Sequence, residues 1–357
     1  MYDGFPKGLM RLSRRLVDPQ AVRRALRQVS DLMSAPPGTV RAAQRKATKP
    51  PFHAPPPAAS PAKTAGTIAE IVGFGSNPGA LRMFMYVPAG LPDMGAPLVV
   101  VLHGCGQHAG QFATETGWLA LADRLGFAVV MPEQVAANNT GRCFNWFRTD
   151  DVLRDHGEAM SIREMVEAAV SRAHLDTKRM FVVGLSAGGA MAAALLVAYP
   201  DLFAAGASVA GLPAGCASDL TSALSRMARA GSETREQLAE RARALGPAYP
   251  PTAWPRISIW QGTGDRTVTP ANADQLAAQF AELHGIAGAG EELPPQPGQT
   301  GKGWHRGRGM EIELHSIAGM EHGYPIPAGS PTDRFILPVG VDATQAIAMF
   351  WGLQPAR

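Results

Sequence analysis

Ser186 stands in Gly184-Leu185-Ser186-Ala187-Gly188, directly after an apolar run and directly before an Ala-rich helical pattern. Small residues at 184 and 188 allow a sharp strand-to-helix turn, which lifts the central hydroxyl clear of the backbone. The helix that follows points its N-terminal amides at the same place and favours negative charge developing there. An alcohol nucleophile at neutral pH needs a base, and the base needs an orienting carboxylate. Asp265, in the glycine-rich turn of ISIWQGTGDRTVTP, and His322, in the turn of EIELHSIAGMEHGYP, supply them in the order Ser, acid, His. Asp274 is the fallback acid but lies inside the next helical pattern. His315 lies within a strand pattern, so His322 is the better placed base; His103 and His305 do not follow the last strand, and Glu321 competes as acid only if its loop folds back. The chemistry expected is two-step acyl transfer through a serine, with no metal or organic cofactor required.

A second donor site follows Leu98–Leu102, where the chain reads His103-Gly104-Cys105-Gly106-Gln107. The backbone N–H groups of Cys105 and Ala187 are the expected oxyanion donors; one such donor is typically worth about 2.7–4 kcal/mol in the transition state. Cys105 as a second nucleophile is the weaker reading, because it lacks the turn that exposes Ser186. His103, Gly104, Gln107, Trp146, Phe147 and Tyr324 are expected to contact substrate. Trp146 and Phe147 form either an apolar wall for an acyl chain or core filler.

These residues must be positioned by a regular alternation that begins near residue 65. Strand-like runs fall at 67–74, 81–87, 97–102, 128–131, 180–184, 206–209, 257–261 and 312–317, and helical patterns at 111–125, 161–174, 187–199, 270–283 and 342–351. The first two strands flank a Gly-Ser-Asn-Pro-Gly turn and predict an antiparallel hairpin. The later strands alternate with helices and predict parallel units covered on both faces. The expected fold is therefore α/β: an α/β-hydrolase fold, with a mostly parallel eight-stranded sheet and helices on both faces. Between the sixth and seventh strands, residues 217–250 read either as a cap insertion or as a plain surface helix pair.

Residues 1–65 have a different character. Residues 1–50 carry eleven Lys/Arg against three Asp/Glu, a charge of +8 in a chain whose net charge is +3. A basic helix is expected over 9–33, split at Pro19, followed by a Pro/Ala-rich linker to about residue 63. This leader is either solvated or docks onto an anionic surface. No specific nucleic-acid partner and no transmembrane segment are expected, since no apolar run reaches eighteen residues. Arginines interrupt the leader's apolar stretches, so it lacks a signal-peptide core, and the expected compartment is the cytoplasm, with extracellular action the alternative if export is non-standard. Three cysteines do not make a disulfide scaffold. Cys143 and Cys216 both follow strands and are expected as free thiols or as a pair.

LHGCGQ, CFNWF, GLSAGGAM, QGTGD and GMEHGYP, in that order over residues 66–335, resemble the polyhydroxybutyrate (PHB) depolymerase family of esterases. The resemblance implies hydrolysis of short-chain hydroxyalkanoate esters, with feruloyl- and acetyl-xylan-type esterases as alternatives within the family. It also implies the same roles for Ser186, Asp265, His322, Cys105 and Ala187. Relatives often carry Trp-Pro-Gly after the last His, where this chain has Gly323-Tyr324-Pro325, and extracellular members commonly carry a signal peptide and a polymer-binding module. A serine peptidase on the same fold is one rival reading. An inert granule- or anion-binding protein that uses the basic leader is the other.

Overall fold

The computed structural model describes residues 66–330 and 334–353. The leader helix, the linker and the proposed anionic docking surface lie outside the described residues. Strands β1 (Ile68–Ile71) and β2 (Arg82–Tyr86) form the expected antiparallel hairpin. The chain then runs through β3 (Leu98–Leu102), helices α1 (Ala109–Glu115) and α2 (Trp118–Leu125), β4 (Ala128–Glu133), α3 (Thr149–Val152) and α4 (Gly157–Ala173). It continues through β5 (Met180–Leu185), α5 (Ala187–Ala198), β6 (Ala205–Val209), α6 (Leu220–Ala228), α7 (Arg235–Arg243), β7 (Arg256–Gly262) and α8 (Ala271–Leu283). The last elements are β8 (Glu291–Glu292), β9 (Gln299–Arg306), β10 (Gly309–Ile317), β11 (Tyr324–Pro325), β12 (Ile336–Leu337) and α9 (Ala343–Trp351).

The main sheet has the order β1-β2-β4-β3-β5-β6-β7-β10-β9-β8. Its six strands from β4 to β10 run parallel, with antiparallel strands at both edges. Because β4 lies on one side of β3 and β5 on the other, the strand order reverses at β3. Loops leaving the carboxyl ends of β3 and β5 therefore diverge and open a crevice, the usual ligand position in open α/β sheets.

Alternation along β3 shows why the sheet is covered on both faces. Leu98, Val100 and Leu102 pack with α4, α5 and α8, while Val99 and Val101 pack with α1, α2 and α9. All twelve residues of α5 are buried, so this helix is small and apolar all round rather than amphipathic.

The sheet has ten strands rather than the expected eight. β8 and β9 were absent from the sequence reading because they are edge elements: β8 is two exposed glutamates, and β9 is a Gly- and Lys-containing strand that folds onto β10 across Gly307. Charged, short edge strands carry little hydrophobic alternation, since one side faces water. The helix expected over 111–125 is two helices, broken where Gly117 takes φ +83°. Segment 217–250 holds α6 and α7, each opened by a capping box, Asp219/Ser222 and Thr234/Gln237. Among the described residues no helix is long and apolar enough to cross a membrane.

The outer aromatic layer closes the C-terminal side. The Trp351 ring stacks on Phe181 at 4.9 Å and on Trp118 at 5.4 Å, and its Nε1–H donates to the Gly206 carbonyl at 3.2 Å. Trp351→Ala is expected to cost about 3–5 kcal/mol. The check is a lower urea midpoint at unchanged slope, with kcat per folded molecule unaltered.

Candidate active site

Three stretches of backbone meet at the carboxyl end of β5, and none of them leaves room for a side chain. A Cβ on Gly184 would lie 2.2 Å from the Gly188 carbonyl, and one on Gly188 would lie 2.4 Å from the Leu102 carbonyl oxygen. Packed this closely, the chain turns from β5 into α5 in one residue, and Ser186 takes φ +57°, a region an L-residue rarely occupies. Its own N–H donates to the Val209 carbonyl at 2.8 Å, which ties the strained residue to the neighbouring strand.

The Ser186 hydroxyl lies 2.9 Å from His322 Nε2, and His322 Nδ1 lies 2.7 Å from Asp265 Oδ2. Asp265 is buried but fully partnered: Oδ1 accepts the N–H groups of Thr267 and Val268 at 2.8 and 2.9 Å, and Oδ2 also accepts Gln261 Nε2–H at 3.0 Å. With its other lone pairs matched in this way, Asp265 Oδ2 faces His322 Nδ1, and Nε2 is left facing the serine hydroxyl. The two loops that carry Asp265 and His322 are stitched together by Thr263 N–H to the Ile317 carbonyl and Gly264 N–H to the Met320 carbonyl. A Cβ on Gly262 would lie 2.2 Å from the Met320 oxygen, which explains the glycines of QGTGD.

Cys105 and Ala187 line the same cavity as Ser186, and the N–H of neither donates to a protein acceptor among the described residues. The neighbouring Gly104 N–H is already committed to Gln107 Oε1 at 2.8 Å. Gly104 and Cys105 line a cavity of about 580 Å³ beside the serine, and Trp146 and Phe147 are among its other lining residues.

Several sequence expectations change here. Gln107 braces Gly104 and does not line the cavity. His103 is fully buried beneath the loop, and Tyr324 is fully buried in the outer core, where its hydroxyl meets Trp118 Nε1 at 3.2 Å and Thr344 Oγ1 at 2.9 Å. Neither lines the cavity. Asp274 lies in the first turn of α8, and His315 stacks on Trp260 at 4.1 Å within the sheet. Cys143 is bonded to Cys105, not to Cys216, which is a buried free thiol pushed up to about 12 by burial. Cys216 is thus free as expected, and the expectation for Cys143, free or paired with Cys216, is overturned because the loops after β3 and β4, which carry Cys105 and Cys143, come together.

Much of the cavity wall was missed. Leu220, Ala223, Leu224 and Met227 of α6 line it, a spacing of i, i+3, i+4 and i+7 that was legible as one helical face. Val268 and Phe335 carried no such signal. Glu158, at the start of α4, is a further hidden element. Its carboxyl accepts the Asn145 N–H at 2.9 Å and Asn145 Nδ2–H at 2.8 Å, together with Gln134 Nε2–H. Burial pushes this group up to about 8, with Asp151 adding to the shift.

His103 Nδ1 faces the Gly104 carbonyl at 2.7 Å and Nε2 faces the Gln134 N–H at 3.1 Å, so the first nitrogen donates and the second accepts. Burial pushes the ring down to about 4, so it is neutral at pH 7. Its folded pKa lies below the unfolded value near 6.5, so its contribution is complete above about pH 6.5 and is lost as the pH falls towards 4. Between pH 7 and pH 5 the wild type is expected to lose about 2 kcal/mol more stability than His103→Gln. Parallel pH–stability curves for the two proteins would refute this.

Residues 81–293 match the family described as esterase PHB depolymerase. The chain is 38% identical over 293 residues to poly(3-hydroxyalkanoate) depolymerase C of Paucimonas lemoignei, covering 80% of this chain and 70% of the relative. It is 28% identical over 283 residues to feruloyl esterase B of Talaromyces funiculosus, covering 77% and 78%. Among solved structures, the acetyl xylan esterase from Aspergillus awamori superposes with a TM-score of 0.70 at 23% identity, over 81% of this chain and 100% of that one, which shows the shared fold. With sheet, elbow and family in agreement, the chain belongs to the esterase PHB depolymerase family and is a serine carboxylic ester hydrolase of the α/β-hydrolase fold.

Proposed function

We propose that Ser186 is the nucleophile, His322 the general base and acid, Asp265 its orienting carboxylate, and the N–H groups of Cys105 and Ala187 the oxyanion donors. The observation that carries this reading is the relay of 2.9 and 2.7 Å from Ser186 through His322 to Asp265 at the floor of an apolar cavity. His322 Nε2 takes the Ser186 proton as Oγ attacks the ester carbonyl carbon. The carbonyl oxygen becomes an oxyanion between the two amides, and Asp265 stabilises the imidazolium. The carbonyl re-forms as the C–O bond to the leaving alcohol breaks and His322 protonates that alcohol. Water, deprotonated by His322, then attacks the acyl-serine; the acid leaves and Ser186 regains its proton.

The favoured substrates are short-chain hydroxyalkanoate esters, as polymer or oligomers. The likeness to the Paucimonas lemoignei depolymerase supports this, as does the apolar part of the cavity wall formed by Leu212, Leu220, Ala223, Leu224, Met227 and Val268. Aryl esters of the feruloyl kind are the second reading, favoured by Trp146, Phe147 and Phe335 at the cavity wall. In this proposal α6 acts as a small cap over the acyl site. The basic leader, residues 1–50, brings the enzyme to an anionic or polyester surface, and the catalytic domain begins near residue 66. An inert binding role is disfavoured by the aligned relay. The Cys105–Cys143 disulfide supports action in an oxidising compartment rather than the cytoplasm expected from the leader's composition.

Hydrolysis of p-nitrophenyl butyrate is expected to fall by about 10⁴-fold or more in kcat in Ser186→Ala. Undiminished turnover would remove Ser186 from the mechanism. In a substrate panel, kcat/KM for hydroxybutyrate oligomers is expected to exceed that for methyl ferulate, and the reverse order would transfer the assignment to the aryl-ester reading.

A further inference from the structure

We propose that the Cys105–Cys143 disulfide is a positioning strap for the oxyanion donor, so that turnover of the folded enzyme depends on this bond being closed. The inference rests on the donor role given to Cys105 under the proposed function.

Cys105 lies in the six-residue loop 103–108, which has no regular secondary structure, and its own N–H has no acceptor among the described residues. What fixes that N–H is its flanks and its side chain. On the flanks, Gly104 N–H is held by Gln107, and Gly106 N–H donates to the Gly141 carbonyl at 2.9 Å. Through the side chain, the loop is joined covalently to Cys143, 38 residues later, with the two Cα atoms 4.2 Å apart.

The partner loop is itself anchored deeply. Asn139 Oδ1 accepts the Gly141 N–H at 3.0 Å, Asn139 Nδ2–H donates to Asn145 Oδ1 at 3.0 Å, and Gln134 Nε2–H donates to the Cys143 carbonyl at 3.2 Å. Asn145 in turn is pinned by its N–H and side chain to the buried Glu158 carboxyl of α4. A continuous path therefore runs from a rigid helix through Asn145 and the loop to Cys143, across the sulfurs, and to the amide that meets the oxyanion.

Oxyanion stabilisation is steep in geometry. Donors work when they lie about 2.7–3.1 Å from the position the oxygen takes in the transition state, and a misplacement of about 1 Å can cost a hundredfold in rate. A strap on the donor residue therefore acts on kcat. A disulfide that served only to constrain the unfolded chain would change stability and leave kcat alone. Both cysteines are half-buried and line the same cavity as Ser186, so a small reductant reaches them while Cys216 stays sealed in the core. Reduction is balanced by the reagent: a phosphine and one water take the S–S bond to two thiols, and the phosphine becomes its oxide.

The test is steady-state hydrolysis of p-nitrophenyl butyrate by the full chain before and after treatment with a water-soluble phosphine, well below the melting temperature. Thiol titration follows the release of two thiols, and near-ultraviolet circular dichroism follows the fold. Reduction is expected to lower kcat about ten- to hundredfold with KM within about twofold, reoxidation to restore it, and Cys143→Ala to reproduce the reduced enzyme. The affinity for an aryl boronic acid, which forms a tetrahedral adduct on serine, should fall by the same factor as kcat/KM. If reduction unfolds the chain, Asn139→Ala with the disulfide intact loosens the anchor, and is expected to lower kcat about three- to tenfold. Full reduction of a folded enzyme with kcat unchanged, or an unchanged kcat in Asn139→Ala, overturns the strap. Oxidised wild type without Ser186-dependent hydrolysis overturns the proposed function, and the strap with it. A strap that fails while Ser186-dependent turnover persists leaves the proposed function standing.

Discussion

Where β3, β5 and α5 converge, backbone touches backbone. The Leu102 carbonyl presses on Gly188, and Gly188 presses on Gly184, at distances that no Cβ tolerates. This approach forces the turn that gives Ser186 its positive φ and fixes the first amide of α5 relative to the end of β3. The loop that leaves β3 brings Cys105 to the wall of the cavity that Ser186 also lines. The strain at Ser186 is held by the surrounding sheet, whose central strands and α5 are buried without exception.

A second close approach organises the other half of the relay. Gly262 and Gly264 let the loop after β7 lie against the loop after β10, so Asp265 and His322 meet although 57 residues separate them. Burying a carboxylate is costly unless its lone pairs are matched, and Asp265 has two backbone N–H groups, Gln261 and His322 to match them. The glycines and the donors thus do one job together: they allow a charged group to sit dry and still next to the imidazole. The cavity walls are built differently. They come from α6, the 139–147 loop and single residues such as Val268 and Phe335, attached to the sheet's rim rather than to its core.

This division explains what was legible in the sequence. Ser186, Asp265 and His322 were legible as candidates because each lies in a short local motif at the end of a strand, and chain order links them. The central parallel strands were readable because burial on both faces makes them continuously apolar. β9 was not, because a strand next to the sheet edge that contains Gly301, Lys302 and Gly303 has no apolar alternation to detect. Tyr324 was misplaced because it follows His322 so closely; two residues on, its side chain points into the outer core, against Trp118 and Thr344. The cysteine pairing was misjudged because disulfide partners are chosen by loop proximity across the crevice, which neither spacing nor composition encodes. Gln107 and His103 look like ligands in a list of polar residues, yet they face the loop's own backbone.

The central claim is that Ser186 is the activated nucleophile in this crevice. The most direct measurement is intact-mass analysis after exposure to a fluorophosphonate, followed by peptide mapping of the adduct. One equivalent of label on Ser186, abolished in His322→Ala with the fold intact, is the predicted result. Labelling elsewhere, or no labelling of the folded wild-type chain, would contradict it.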